Sequence, residues 1–163
     1  MTIETLSRRT ILAAGLGLAA LSAFPAQGRS STDPTADQIH VMKDPNCGCC
    51  TAWIEIVEAA GFAVTTELSA GTALMRYKSE NGISAELASC HTARVRDYML
   101  EGHVPVADIR RLLDERPDAV GLAVPGMPYG SPGMGAETER EAYDVLLIRK
   151  DGTTEVFTRY PAA

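Results

Sequence analysis

Apolar residues recur at helical spacing between Cys49 and Ala60, where Trp53, Val57 and Ala60 define one face and Ile54 and Ile56 widen it. Gly61 then suits a C-terminal cap. Before this segment, Ile39-His40-Val41-Met42 reads as a short strand that breaks at Asp44-Pro45-Asn46; after it, Phe62 to Leu68 is rich in β-formers. Strand, helix and strand in that order predict a βαβ unit. A second helix is expected over Thr72–Glu80, ending near Asn81-Gly82, and Tyr98–Val104 looks like a strand. Pro105 opens a third helix whose Val106, Ile109, Leu112 and Leu113 share a face, and Pro117 stops it. The apolar run Gly121–Val124 leads into a loop rich in Pro, Gly and Met, "PGMPYGSPGMGA". Tyr143–Arg149 and Thr154–Tyr160 flank Lys150-Asp151-Gly152-Thr153, a strong hairpin signal. No internal repeat is visible.

The N-terminal apolar run belongs to a different pattern. Ser7-Arg8-Arg9-Thr10-Ile11-Leu12 precedes the apolar stretch Ala13–Phe24, and Pro25-Ala26-Gln27-Gly28 supplies small residues for cleavage. Residues 1–28 are therefore expected to be a twin-arginine export signal, delivering a periplasmic protein. The apolar run falls short of the roughly 18–20 residues that span a bilayer, which argues against a membrane anchor. Residues 29–38, opening "RSSTDPTAD", read as a flexible leader, and residues 39–163 as the folded domain. At 163 residues, 45% of them hydrophobic and 22% charged, the chain can bury one core without cross-links. Its formal charge is −6, and losing Arg8, Arg9 and Glu4 makes it one unit more negative. An acidic domain with no Lys/Arg cluster is a poor partner for nucleic acid or an anionic membrane.

Against that background the cysteines stand out. Three of the four fall within Cys47-Gly48-Cys49-Cys50, at the predicted start of the first helix. Unpaired N–H groups and the positive end of the helix dipole stabilise thiolates there, the form used in both disulfide exchange and soft-metal binding. Cys47 and Cys50 form a Cys-x-x-Cys pair suited to thiol redox chemistry; Cys49 is superfluous to that chemistry and useful to a monovalent copper ion. A structural disulfide within one turn closes almost no loop and stabilises little. A βαβ unit, a further helical layer and a terminal hairpin, with cysteines at the first helix start, make a thioredoxin-like α/β plan. Such a domain places a cis-proline before its antiparallel hairpin, with Pro125 and Pro128 as candidates.

Cys90 and His91 are adjacent in Ala88-Ser89-Cys90-His91-Thr92. In a strand at most one of them faces a site; in a turn both can. Cys90 can equally be a small buried hydrophobe. His103 lies at a strand end, as ligand or proton handler, while His40 reads as structural. Met75 and Met99 sit on periodic apolar segments and read as core. Met127 and Met134 lie on the Gly/Pro loop without a packing duty, and their thioethers suit Cu(I).

The blocks "DPNCGCCTAW", "ELASCHTA", "EGHVPVADIRRLL", "GLAVPGMPYGSPGM" and "YDVLLIRKDG" together resemble the CopG family of small exported copper-resistance proteins, long catalogued as a domain of unknown function. The resemblance runs from about Ile39 to Tyr160. It implies a thioredoxin-like fold with a C-terminal extension that helps bind metal, and copper beside the Cys-x-Cys-Cys segment with cysteine sulfurs bridging several ions. It also implies interconversion of Cu(I) and Cu(II), with copper passed to a periplasmic efflux system. Carried over by motif, the implied metal residues are Cys47, Cys49, Cys50, Cys90, His91, His103, Met127 and Met134. The expected protein is a monomer that binds copper ions, with no membrane contact once the signal is cleaved. Two alternatives stay open: a metal-independent thiol–disulfide oxidoreductase using Cys47 and Cys50, and a passive copper buffer or chaperone.

Overall fold

The computed structural model describes residues 37–163. The expected export signal, residues 1–28, lies outside the described residues, as does the leader up to residue 36. Within them, seven strands and three helices alternate: β1 (Gln38–Lys43), α1 (Gly48–Ala59), β2 (Ala63–Leu68), α2 (Gly71–Glu80), β3 (His91–Val95), β4 (Tyr98–Glu101), α3 (Val106–Glu115), β5 (Ala119–Ala123), β6 (Tyr143–Arg149) and β7 (Thr154–Tyr160). All strands join one mixed sheet, in the order β2-β1-β3-β4-β5-β6-β7.

The expected βαβ unit is present: β1 pairs in parallel with β2, Ile39 opposite Val64. A second one follows, because β4 and β5 are also parallel, with α3 as their crossover. Between the two units, β3 pairs antiparallel with both β1 and β4. β6 and β7 then extend the sheet as the predicted hairpin. The core lies where the helices cover the sheet: Trp53 and Val57 of α1, and Ile109, Leu112 and Leu113 of α3, pack against Ile39, Val41, Val95, Leu100 and Leu122. The stripes read from the helical spacing pack as expected except at Ile56, which lies on the solvent side of α1 and is exposed.

Several expectations need correction. The strand foreseen over 98–104 ends at Glu101, because Gly102 turns the chain into a bend before Pro105. Strands β3 and β5 were not foreseen: β5 is an unbroken apolar run, and β3 mixes His, Thr and Arg, so neither alternates with period two. The antiparallel hairpin after α2 is β3–β4, and Ser89-Cys90 precede it. Pro125 and Pro128 come later, and no cis peptide bond occurs among the described residues. Met99 is buried as expected, whereas Met75 is exposed on α2. His40 bonds Thr65 and faces Glu67 across the β1–β2 edge.

Candidate metal centre

Two chain segments converge at one end of the sheet. The first is the start of α1. Cys47 is its N-cap, with extended backbone, and the Cys47 sulfur accepts a hydrogen bond from the Cys50 N–H at 3.3 Å. A sulfur thus takes the place a Ser or Asp oxygen commonly fills. Cys47 and Cys50 are joined as a disulfide, while Cys49 and Cys90 are free thiols.

The second segment is the bend entering β3. Ser89 pairs with Gly126, Cys90 occupies the bend, and His91 opens the strand. Because Cys90 lies outside the regular pleat, it and His91 face the same space, with Cys90 Sγ 3.4 Å from His91 Nδ1. The turn geometry, and not the strand alternation, decides the question that the dipeptide raised. His103, two residues past β4, brings Nε2 to 3.0 Å from the same sulfur. Cys49 Sγ lies 3.8 Å from Cys90 Sγ and 3.5 Å from Cys47 Sγ.

Cys90 is therefore the shared member of two overlapping groups. Cys47, Cys49, Cys50 and Cys90 form one; Cys90, His91 and His103 form the other; within each, the donor atoms lie within 4.8 Å of one another. With the Cys47–Cys50 disulfide reduced, four sulfurs and two imidazoles make a soft donor set with borderline nitrogen, which suits copper and other thiophilic ions. One further observation concerns His91. His91 is fully buried, and its Nε2 has no hydrogen-bond partner. A native protein rarely leaves such an atom unsatisfied unless it serves a ligand or a redox role.

Burial sets the charge state of these groups. Desolvation pushes the Cys90 thiol up to about 12, and the neighbouring Cys49 adds to the rise. His91 falls well below its ordinary value through burial, helped by His103, Lys78 and Lys43. Burial also lowers His103, partly offset by its hydrogen bond to Pro132. Without metal the pocket is thus a neutral thiol beside neutral imidazoles. A cation reverses that preference for the thiol and needs the imidazoles neutral, so binding releases protons.

The Gly/Pro loop after β5 covers the site. Its first end is tied to the bend, with Gly126 N–H bonding the Ala88 carbonyl and the Ser89 hydroxyl bonding the Gly126 carbonyl. Its second end reaches α1. Gly133 (φ +82°) packs so closely that a Cβ there meets Trp53 N at 2.8 Å and Cys49 O at 3.1 Å. Pro132 supplies the carbonyl that His103 Nδ1 contacts at 2.7 Å. Met134, next to Gly133, is half-buried and held by backbone bonds to Ser131 and Gly130. Met127 is 54% exposed. The loop is a lid, and of its two methionines Met134 is the less exposed.

Residues without an obvious signal in the sequence support the cluster from behind. The Trp53 ring lies 4.5 Å from the His91 ring, and its Nε1–H donates to Val104 O at 2.9 Å. A buried ion pair joins Lys78 of α2 to Glu101 of β4, and Lys78 Nζ also donates to Thr92 Oγ1 at 2.8 Å. Glu101 in turn accepts from the Ser89 N–H at 2.6 Å, which fixes the residue preceding Cys90. Burial raises the Glu101 carboxyl above its ordinary value, while Lys78, Thr92 and Ser89 pull it back. Gly102 fits between them: at φ +72°, a Cβ there lies 2.6 Å from both Ser89 Cβ and the Val124 carbonyl. Read from sequence alone, Lys78 is a charge on a polar helix; only the fold turns it inward.

Fold and site together define a small mixed α/β protein that gathers cysteine and histidine under a methionine-bearing loop. The family model described as a protein of unknown function, DUF411, matches residues 87–134, the stretch carrying Cys90, His91, His103, Met127 and Met134. Two solved structures described as copper resistance protein CopG, forms 1 and 2, each give a TM-score of 0.72, at 45% and 44% identity. They align over 77% of this chain and over 98% and 99% of theirs. Among curated proteins none matches the chain. The chain belongs to the CopG family of copper resistance proteins, whose domain is also described as DUF411. No described helix is long and apolar enough to cross a membrane.

Proposed function

We propose that this protein binds copper as its cargo at the cysteine–histidine cluster and interconverts Cu(I) and Cu(II) there, within a copper-resistance system of the periplasm. The observation that carries the reading is the convergence on Cys90: Cys49 Sγ at 3.8 Å, His91 Nδ1 at 3.4 Å and His103 Nε2 at 3.0 Å from one sulfur. Thiolates favour Cu(I), and imidazoles accommodate Cu(II), so a mixed set serves both states. Cys47, Cys49, Cys50, Cys90, His91 and His103 are the proposed ligands, with Met134 and Met127 joining from the lid.

The frame supports this role. The sequence β1-α1-β2-α2-β3-β4-α3, with Cys47 and Cys50 at the start of α1, fits a thioredoxin-like domain. Strands β5–β7 and the lid are then its C-terminal metal-binding extension. We assign residues 1–28 to a twin-arginine export signal, 29–38 to a leader and 39–163 to the copper-binding domain, acting as a monomer that passes copper to an efflux system.

A second reading has an observation of its own. The Cys47–Cys50 disulfide at a helix N-terminus suits a metal-independent thiol–disulfide oxidoreductase. One comparison separates the two. The protein is purified anaerobically, its copper content and oxidation state are measured, and the metal-free form is assayed for insulin reduction. Tightly held copper with little reductase activity supports the copper centre. Strong reduction by the metal-free protein, unchanged in Cys49→Ser, overturns it.

A further inference from the structure

The disulfide between Cys47 and Cys50 uses two of the four cysteines and leaves Cys49 and Cys90 as thiols in contact, 3.8 Å apart. They come from different elements, the first turn of α1 and the bend before β3, and are 41 residues apart in sequence. We propose that Cys49 and Cys90 are a second dithiol–disulfide couple, so that the cluster stores four reducing equivalents and delivers them to Cu(II). The proposal rests on the copper reading for the identity of its oxidant; the pairing rests on the geometry alone.

The step balances without an outside reagent. The Cys49 and Cys90 thiols lose two protons and two electrons and form one S–S bond, while two Cu(II) ions take one electron each and become Cu(I). The Cys47–Cys50 pair does the same for a second two ions. Closing the bond brings the sulfurs from 3.8 Å to about 2.05 Å. The irregular backbone at Cys90 lets that sulfur move without breaking a strand pair, since β3 begins at the next residue. Cys49 Sγ is also 3.5 Å from Cys47 Sγ. Attack of the Cys49 thiolate on Cys47 releases Cys50 as thiolate and leaves a Cys47–Cys49 bond; attack of the Cys90 thiolate on Cys49 then releases Cys47, and the oxidation has passed from one pair to the other.

The two couples differ in what they do to the chain. Cys47–Cys50 closes a separation of three residues, whereas Cys49–Cys90 closes 41 and ties α1 to the sheet. The longer loop removes more freedom from the unfolded chain, so the doubly oxidised protein resists unfolding more than the singly oxidised one. Oxidation of Cys49 and Cys90 also removes the last thiols of the sulfur group, so a fully discharged cluster no longer grips Cu(I).

The test uses the signal-free protein, reduced and metal-free under anaerobic conditions. In one arm diamide is the oxidant. Expected are four cysteines protected from alkylation, and a tryptic peptide ending at Arg76 linked to one ending at Arg94. In the other arm excess Cu(II) is added with a Cu(I)-selective chelator; about four Cu(I) per chain are expected, falling to about two in Cys90→Ser and in Cys49→Ser. Two alkylatable thiols and no linked peptide after diamide overturn the pairing. Linkage under diamide with no Cu(I) in the second arm overturns the delivery to Cu(II), while the pairing stands and copper binding itself is decided by a separate Cu(I) titration.

Discussion

His103 holds its Nε2 3.0 Å from Cys90 Sγ because its other nitrogen is committed, with Nδ1 2.7 Å from the Pro132 carbonyl. A carbonyl only accepts, so Nδ1 carries the proton and Nε2 presents a bare lone pair to the site. The lid thus fixes the tautomer of a proposed ligand. His103→Gln retains polarity but loses that arrangement. Its expected effect is a loss of copper affinity of at least about 10–100-fold in a chelator competition titration; an unchanged affinity removes His103 from the centre.

The Lys78–Glu101 pair is buried on both sides and fixes Ser89, the residue before Cys90. Lys78→Met leaves a buried carboxylate without its cation, with an expected loss of about 3–5 kcal/mol in urea unfolding. The double variant Lys78→Met/Glu101→Leu should recover much of that stability. If the single variant unfolds like the unaltered protein, the pair has no structural role.

The two site histidines make the metal-free protein acid-sensitive. Both have folded pKa values below the ordinary 6.5, chiefly through burial. The unfolded chain therefore binds protons first as pH falls, so the stabilisation is present above about 6.5 and is lost on descent through the folded values. Glu101, raised by burial, pulls the other way in the more acidic range. Melting temperatures measured from pH 7.5 down to 5 should fall, and fall less steeply in His91→Asn. A flat profile contradicts the burial assigned to both rings.

Trp53 is the single tryptophan of the chain, 4.5 Å from the His91 ring. Cu(II) bound at His91 should quench its fluorescence in proportion to occupancy, and the quenching should weaken in His91→Ala/His103→Ala, where the cysteines alone remain to hold copper. Quenching unchanged in the double variant removes the two histidines from the copper site.

Gly133 seats the lid on α1, where no side chain fits against Trp53 N and Cys49 O. Gly133→Ala should cost about 1–3 kcal/mol through backbone strain and loosen the lid at Met134, the next residue. Met134→Leu should weaken Cu(I) binding, and Met127→Leu should do so less, given its exposure. Equal effects on affinity argue that the lid closes further on metal than it does without it.

The parts legible in the sequence are those governed by local rules. Trp53 and Val57 recur at helical spacing, Pro105 and Pro117 bracket α3, and Asp151-Gly152 marks the β6–β7 turn. The crowding of Cys47, Cys49 and Cys50 likewise narrows the chemistry to thiol exchange or soft-metal binding before any fold is known. Strand β3 escaped because His91, Thr92 and Arg94 break the alternation that a half-buried strand displays, and Thr92 is buried for the sake of the ion pair. Lys78, Glu101 and the Pro132 carbonyl escaped because their roles exist only through partners distant in sequence. Whether Cys90 and His91 share a site depended on a bend of one residue, which composition does not encode.

The most direct test of the copper centre is an anaerobic Cu(I) titration of the fully reduced protein against a high-affinity chelator, beside Cys49→Ser and Cys90→Ser. Tight binding to the unaltered protein, weakened by at least about tenfold in each variant, is the expected result, since each serine removes a soft ligand. Binding no tighter in the unaltered protein than in the two variants contradicts a copper centre built on Cys49 and Cys90.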